Sequence, residues 1–305
     1  MEAIVYEEFG GPEVLRHASG LALPEPGEGE IRVKVVAVGV NPVDYKRRYG
    51  WVEAFYPTTF PAVPGLEFAG TVDALGPGVT GVRVGDEVLG WTTTGAYAQY
   101  ALSDLWVPKP AELSWEQAAS LPVAGETAQR VLDLLGVRAG ETLLLHGAAG
   151  AVGSAAVQLA VAAGVTVIGT ASERNHAYLK SLGAIPVTYG EGLATRVRAA
   201  APDGVDAVFD AAGHDTLPVS IELMAGEKTR IVTIAAPDAE AHGIVFSGVI
   251  GDREKVRADL TTQAKLAATG ALTLRVAETF PLKEAARAQE LSESSRAQGK
   301  LILLP

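Results

Sequence analysis

The chain has 305 residues, 48% of them hydrophobic and 20% charged, with a formal net charge of −11. That length suits about two domains of ~100–200 residues each, and the composition is that of an ordinary globular protein, which excludes global disorder. The acidic balance argues against nucleic acid and anionic membrane as partners, because both repel a negative surface.

Cysteine is absent. Disulfides are therefore excluded, as is every zinc site built on thiolates. The five histidines (His17, His146, His176, His214 and His242) show no i, i+4 pair and no other ligand spacing, so no metal site is expected. The opening Met1-Glu2-Ala3-Ile4-Val5-Tyr6 is acidic and alternating, unlike the basic start and apolar core of a secretory signal. No unbroken apolar run reaches the ~18 residues of a membrane span. A soluble, cytoplasmic protein is the expectation.

Up to residue 122 short apolar or alternating runs, at 31–40, 68–75, 87–91 and 97–102, are separated by glycine and proline. Such spacing predicts many short strands in a partly closed sheet or barrel. After the first run comes Asn41-Pro42-Val43-Asp44-Tyr45-Lys46-Arg47-Arg48, a polar segment that starts a helix. Asn41 and Asp44 suit an Asx turn and an N-cap. Lys46, with three donors on a long stem, is the better group to face a cofactor or a substrate oxygen. Tyr45 is either an acid or an aromatic wall. Trp51, Phe55, Tyr56 and Phe60 form a substrate wall or simple packing. Ser114 and Gln117 have the spacing of a capping box, opening a helix that leads to Leu121-Pro122.

Beyond residue 122 the pattern alternates. Strands are predicted at 142–146, 165–170, 185–188, 205–210, 230–235 and 244–249, with helices at 152–163, 175–182, 193–200 and 216–224. This alternation implies right-handed crossovers and a parallel, doubly wound sheet. A long helix at 254–269 leaves this unit, and strand, helix and strand signals at 274–277, 281–294 and 300–304 return to the first domain. The predicted domains are 1–122 with 264–305, and 123–263.

The strongest local feature is Leu144-Leu145-His146-Gly147-Ala148-Ala149-Gly150-Ala151-Val152-Gly153, where a strand ends, a small-residue turn follows and a helix begins. Backbone N–H groups at such a helix start can bind a pyrophosphate, which small residues allow to approach closely. The first glycine of the usual fingerprint is Ala148 here, and a plain strand-to-helix turn is the other reading. Its position at the head of the alternating run favours a dinucleotide. His146 reads as a satisfied histidine at a strand end, and Glu126 as a charge favoured by a helix N-terminus.

The tip of the next strand selects the nucleotide. An NAD site places Asp or Glu there, about 20 residues beyond the loop, on the ribose 2′-hydroxyl. Here the strand ends Thr170-Ala171-Ser172-Glu173-Arg174-Asn175. Ser172 and Asn175 can donate to a 2′-phosphate, Arg174 can offset its charge, and Tyr189 at the next strand end can join them. Glu173 weighs the other way, and Ser172 also suits a helix cap. The set favours NADPH over NADH.

Together these segments resemble the zinc-free quinone oxidoreductase branch of the medium-chain dehydrogenase/reductases. The resemblance is carried by Asn-Pro-Val-Asp-x-Lys-x-Arg at 41–48, Val63-Pro64-Gly65-Leu66-Glu67-Phe68-Ala69-Gly70, Gly81-Val82-Arg83-Val84-Gly85-Asp86, Gly95-Ala96-Tyr97, Leu121-Pro122-Val123-Ala124-Gly125-Glu126-Thr127, the 147–153 loop and Gly299-Lys300-Leu301. It implies an α/β chain with a GroES-like, partly closed β-barrel catalytic domain and a Rossmann domain. It implies that Asn41, Lys46 and Thr127 lie on the nicotinamide side, and that Ala149, Gly150, Ala151 and Val152 hold the pyrophosphate. Ser172, Arg174, Asn175 and Tyr189 would meet the 2′-phosphate, and Ala212, Gly213, Ala235 and Ala236 would line the nicotinamide pocket. Zinc-dependent relatives have histidine where Leu66 stands. The implied activity is NADPH-dependent hydride transfer to a quinone or an α,β-unsaturated carbonyl, with Asn41, Tyr45 or Lys46 aimed at the substrate oxygen and a homodimer as the assembly. An enoyl or enone reductase of a biosynthetic pathway, and an NADPH-binding redox sensor with little turnover, are the alternatives.

Overall fold

The structure, a computed structural model, describes every residue except His214. It divides into two compact units, residues 1–123 with 252–305, and residues 124–251. His214, one of the five histidines screened for ligand spacing, lies outside the described residues.

In chain order, β1 (Ala3–Val5) and β2 (Arg16–Ala18) form an antiparallel ribbon. They are followed by β3 (Ile31–Val40), α1 (Pro42–Arg48), β4 (Glu67–Leu75), β5 (Glu87–Trp91), β6 (Tyr100–Ser103) and β7 (Leu105–Pro108). Helix α2 (Trp115–Leu135) leads into β8 (Thr142–His146), α3 (Ala151–Ala162), β9 (Thr166–Thr170), α4 (His176–Ser181), β10 (Ile185–Val187) and α5 (Leu193–Ala200). Then come β11 (Ala207–Asp210), α6 (Thr216–Leu223), β12 (Ile231–Thr233) and β13 (Val245–Phe246). The chain closes with α7 (Arg253–Ala268), β14 (Val276–Pro281), α8 (Ala285–Glu293) and β15 (Lys300–Leu304).

In the first unit the sheet runs β14-β15-β3-β4-β5-β7, with β6 also on β3. Successive side chains of a strand point to opposite faces, and here both faces are covered. Phe68, Val72 and Val88 enter one core with Ala285 and Ala288 of α8. Ala69, Leu89 and Val107 enter another with Ala118, Ala119 and Leu121 of α2 and Leu260 of α7. Leu260 thus draws α7 into the first unit, so the return falls at Asp252, ahead of the boundary at 264 that the sequence suggests. β15 joins β14 to the rest of the sheet by pairing antiparallel with β3, Leu301 opposite Val40.

The second unit is a six-stranded, all-parallel sheet in the order β10-β9-β8-β11-β12-β13. Leu143, Leu144 and Leu145 are all buried, as are Val208 and Phe209, because helices cover both faces of such a sheet. The strand at 244–249 shortens to the two residues of β13 at the sheet edge.

One expectation fails. The helix that the sequence stops near Pro122 continues through it to Leu135. Proline removes one intrahelical N–H and crowds the preceding turn. The disturbed N–H of Val123 finds a different acceptor, Oε2 of Glu67 at 2.7 Å. Glu126 therefore sits inside a helix and not at its start.

Arg48 ties α1 to α8. Its side chain is fully buried, with Nη1 donating to Gln289 Oε1 at 2.6 Å, Nη2 to Glu293 Oε2 at 3.2 Å and Nε to the Gly10 carbonyl at 3.0 Å. Arg48→Leu leaves these acceptors without their donor and should destabilise the protein by about 2–3 kcal/mol. Urea denaturation measures this; a loss below about 0.5 kcal/mol contradicts it.

Candidate functional site

In the first unit the candidate residues gather at the β3–α1 junction. Asn41 is the N-cap of α1, and its backbone N–H donates to Asp44 Oδ2 at 2.8 Å, one half of a capping box. The Asn41 side chain is buried and committed. Nδ2 donates to Glu67 Oε1 at 2.7 Å, and Oδ1 accepts from Lys300 Nζ at 2.6 Å. Lys300 also forms an ion pair with Glu67, and both are buried. Glu67 Oε2 takes the Val123 N–H. An unpaired buried charge is costly, and this network leaves Glu67 and Lys300 paired across β15, β3, β4 and α2.

Asp44 is fully buried beneath the same junction. Burial pushes its carboxyl from the ordinary 3.8 up to about 6, against the bonds from Asn41 N–H and Tyr97 OH that favour the charged form. The Tyr97 hydroxyl donates to Asp44 Oδ2 at 3.0 Å, while Oδ1 has no partner.

Tyr45 and Lys46 occupy adjacent positions on α1, both partly buried. Burial lowers the Lys46 ammonium below its ordinary 10.5, and no ion pair engages it among the described residues. Burial, and then the Glu293 charge, raises the Tyr45 phenol above 10.0. The Tyr45 ring meets Trp51 edge-on at 6.3 Å, and Trp51 stacks on Tyr49 at 4.6 Å. Phe60 packs on Tyr6 and Phe9, so the aromatic loop splits between an open stack and ordinary packing.

In the second unit the parallel strands place their carboxyl ends along one edge. At the tip of β8 the loop turns into α3, whose N-cap Gly150 has no side chain to cap the first-turn N–H groups. A Cβ on Gly150 would meet only Gly147 O, at 3.4 Å, so the space in front of Gly150 is open, while its own N–H bonds that oxygen at 3.1 Å. Gly153 has the opposite surroundings: a Cβ there would stand 2.3 Å from Gly147 O. An open cradle of N–H groups with a glycine-tight helix behind it fits a pyrophosphate.

Ser172, Arg174 and Asn175 follow β9, and Tyr189 follows β10. Asn175 is buried, with Nδ2 on Ser172 Oγ at 3.2 Å and Oδ1 without a partner. Rotating the amide by 180° puts donors where that lone oxygen lies. Arg174 and Tyr189 are exposed. Arg196, which the sequence did not single out, reaches from α5 to the carbonyls of Thr188 (2.8 Å), Tyr189 (3.3 Å) and Gly190 (3.3 Å) and fixes the turn that carries Tyr189. Thr127 on α2 is buried, with its hydroxyl 3.3 Å from Glu126 Oε2; Glu126 in turn pairs with Arg130 at 2.7 Å.

Ala212 and Gly213 leave the tip of β11, Ala235 and Ala236 that of β12. The residues that hold them, Asp210 and Thr233, are legible only in retrospect: each is a polar residue ending an apolar strand, two and three positions before small residues. His146, fully buried, bonds Ser220 Oγ at 3.0 Å and Thr170 Oγ1 at 3.4 Å, the satisfied histidine that the sequence suggests. Burial lowers its ring to about 4, so it is neutral at pH 7. Among the described residues no group of three or more His, Cys, Asp or Glu is placed to hold a metal ion, and no helix is long and apolar enough to cross a membrane.

A parallel sheet with a small-residue loop at the tip of a central strand, in one chain with a GroES-like unit, defines a nucleotide-dependent dehydrogenase or reductase. Residues 27–110 match the alcohol dehydrogenase GroES-like domain, and residues 182–303 the zinc-binding dehydrogenase family. The quinone oxidoreductase of Lama guanicoe is 34% identical, covering 100% of this chain and 97% of its own. The chloroplastic NADPH-dependent alkenal/one oxidoreductase of Arabidopsis thaliana is 33% identical, over 100% of this chain and 80% of its own. Escherichia coli quinone oxidoreductase, solved in complex with NADPH, superposes with a TM-score of 0.88 at 29% identity and 100% coverage of both chains. The chain belongs to the medium-chain dehydrogenase/reductase superfamily, in its quinone oxidoreductase branch.

Asp44 carries a test of the buried junction. Its carboxyl binds a proton more tightly folded than unfolded, so its contribution to stability is complete below pH 3.8 and is lost as the pH rises through 6. Asp44→Asn cannot ionise. Between pH 4 and pH 7 the wild type should therefore lose about 2–3 kcal/mol relative to the variant. Parallel denaturation profiles for the two proteins over that range would refute the assignment.

Proposed function

We propose that the chain is an NADPH-dependent reductase that acts on quinones or α,β-unsaturated carbonyl compounds, with Lys46 as the principal group facing the substrate oxygen. The observation that carries this is the state of Lys46: partly buried, desolvated and without an ion pair among the described residues, on the helix that starts at the buried Asn41 junction.

When bound, reduced nicotinamide supplies two electrons as a hydride; the protein supplies position and electrostatics. Ala149, Gly150, Ala151 and Val152 would hold the pyrophosphate, Ala149, Ala151 and Val152 through backbone N–H groups and Gly150 by allowing close approach. Ser172, Asn175 and Arg174 would meet the 2′-phosphate, with Tyr189 beside them. Ala212, Gly213, Ala235, Ala236 and Thr127 would line the nicotinamide end. As the carbonyl carbon or β-carbon accepts hydride, negative charge grows on the substrate oxygen. A Lys46 N–H aimed there stabilises that charge most where water is excluded. Tyr45, whose phenol keeps its proton at neutral pH, can donate a second hydrogen bond. The proton that completes the reduction comes from solvent. Because its amide is occupied by Glu67 and Lys300, we assign Asn41 to holding α1 at the site, so that it acts through Lys46 and not on the substrate. We further propose a homodimer formed along the β13 edge, where Val245 and Val249 are about half exposed.

Assay of NADPH oxidation against a panel of quinones, enals and enones should give turnover with at least one class. NADPH binding without turnover on any would favour the redox-sensor reading. Lys46→Ala should lower kcat/KM about a hundredfold. The wild-type rate should also fall as the pH rises through a value below 10.5, where Lys46 loses its proton, and Lys46→Ala should lack that fall. An unchanged rate in the variant overturns the role of Lys46.

A further inference from the structure

The carboxyl ends of β11 and β12 share one polar device. Asp210 and Thr233 are the last residues of their strands, lie opposite one another in the ladder and are fully buried. Asp210 Oδ1 accepts the backbone N–H groups of Ala212 and Gly213, each at 3.0 Å. Its Oδ2 accepts the Thr233 hydroxyl at 2.6 Å. Thr233 Oγ1 in turn accepts the N–H groups of Ala235 and Ala236, each at 3.0 Å. A hydroxyl has one proton to donate and two lone pairs to receive. All three are used here, so the direction of every bond is fixed: four loop N–H groups converge on two side chains that are bonded to each other.

The two loops also touch. A Cβ placed on Gly213 would lie 2.8 Å from the Ala235 carbonyl oxygen. Neither loop can shift without stretching the Asp210–Thr233 bond or stranding a buried N–H.

We infer that Asp210 and Thr233 are positioning residues that set the 212–213 and 235–236 loops as one preformed wall against the nicotinamide end of the cofactor. The inference rests on the reading above that these loops line the nicotinamide. It adds two residues that do not themselves touch cofactor or substrate. It also predicts a selective defect: weakening the pair should harm recognition of the nicotinamide half and spare the adenosine half, which the loops after β9 and β10 receive.

The test compares wild type with Thr233→Val, Thr233→Ser and Asp210→Asn, using two ligands. One is NADPH, and the other is 2′-phospho-ADP-ribose, which lacks nicotinamide. Dissociation constants come from calorimetry, with thermal melting as the control for folding. Valine removes the hydroxyl while keeping the branched shape, and its NADPH Kd should rise about tenfold or more, the effect of losing one or two buried hydrogen bonds. Its Kd for 2′-phospho-ADP-ribose should stay within about twofold. Serine retains the hydroxyl and should bind both ligands like wild type. Asp210→Asn turns an acceptor into a donor opposite the hydroxyl and should reproduce the selective loss if the valine variant does not fold. Equal weakening of both ligands in the folded variants, or unchanged NADPH binding, overturns the inference. Failure of the wild type itself to bind either ligand would instead overturn the cofactor reading on which it rests.

Discussion

Where a parallel sheet ends, each strand hands the chain to a loop whose backbone N–H groups have lost their ladder partners. Buried, such groups must find acceptors elsewhere. In this protein the strand tips supply them. Thr170 takes Gly147 through its hydroxyl (3.3 Å) and Ala148 through its carbonyl (3.1 Å). Asp210 takes Ala212 and Gly213, and Thr233 takes Ala235 and Ala236. The exception is the start of α3: Gly150 offers no capping side chain and its own N–H bonds Gly147 O at 3.1 Å, while the N–H groups of Ala149, Ala151 and Val152 have no acceptor among the described residues and stay available for a ligand. The candidate cofactor edge is thus a set of satisfied loops around one unsatisfied helix end. A polyanion placed there completes a hydrogen-bonding pattern that the protein leaves open.

The first unit applies the same rule to charge. Lys300, Glu67 and Asn41 are buried together, each meeting the others, and the Val123 N–H freed beside Pro122 completes the group. Its members come from the last strand, the fourth strand, the N-cap of α1 and the long helix, so it fixes the base of α1 from several directions. Lys46, the group proposed to face the substrate oxygen, then sits on a helix whose start is over-determined, which is how a catalytic group is held within a few tenths of an ångström on a scaffold. The contrast between the two lysines is physical: Lys300 has a carboxylate and an amide, while Lys46 is desolvated and has no acidic partner among the described residues.

Much of this fold can be read from residues alone, because its strongest signals are periodic. The apolar runs that became β3, β8 and β15 and the βα alternation between them needed only strand length and hydrophobicity. The glycine and alanine loop at 147–153 also declared itself, since close approach to a phosphate demands small side chains. What could not be read depends on partners far along the chain. Helix α2 survives Pro122 because Glu67 waits in space for the Val123 N–H. Asn41 looks like a free amide until Glu67 takes its Nδ2 and Lys300, 259 residues away, donates to its oxygen. The three-residue strands of the N-terminal ribbon carry too little pattern to register. Asp210 and Thr233 were hidden because, apart from each other, their partners are backbone groups, which have no letter of their own.

Amide hydrogen exchange with and without saturating NADPH tests the central claim most directly, because it reports on the N–H groups themselves. The account predicts added protection at Ala149, Ala151 and Val152, with further protection at 172–175, and little change in the already satisfied amides of Gly150, Ala212, Gly213, Ala235 and Ala236. Binding that left the start of α3 as exchangeable as before would contradict it.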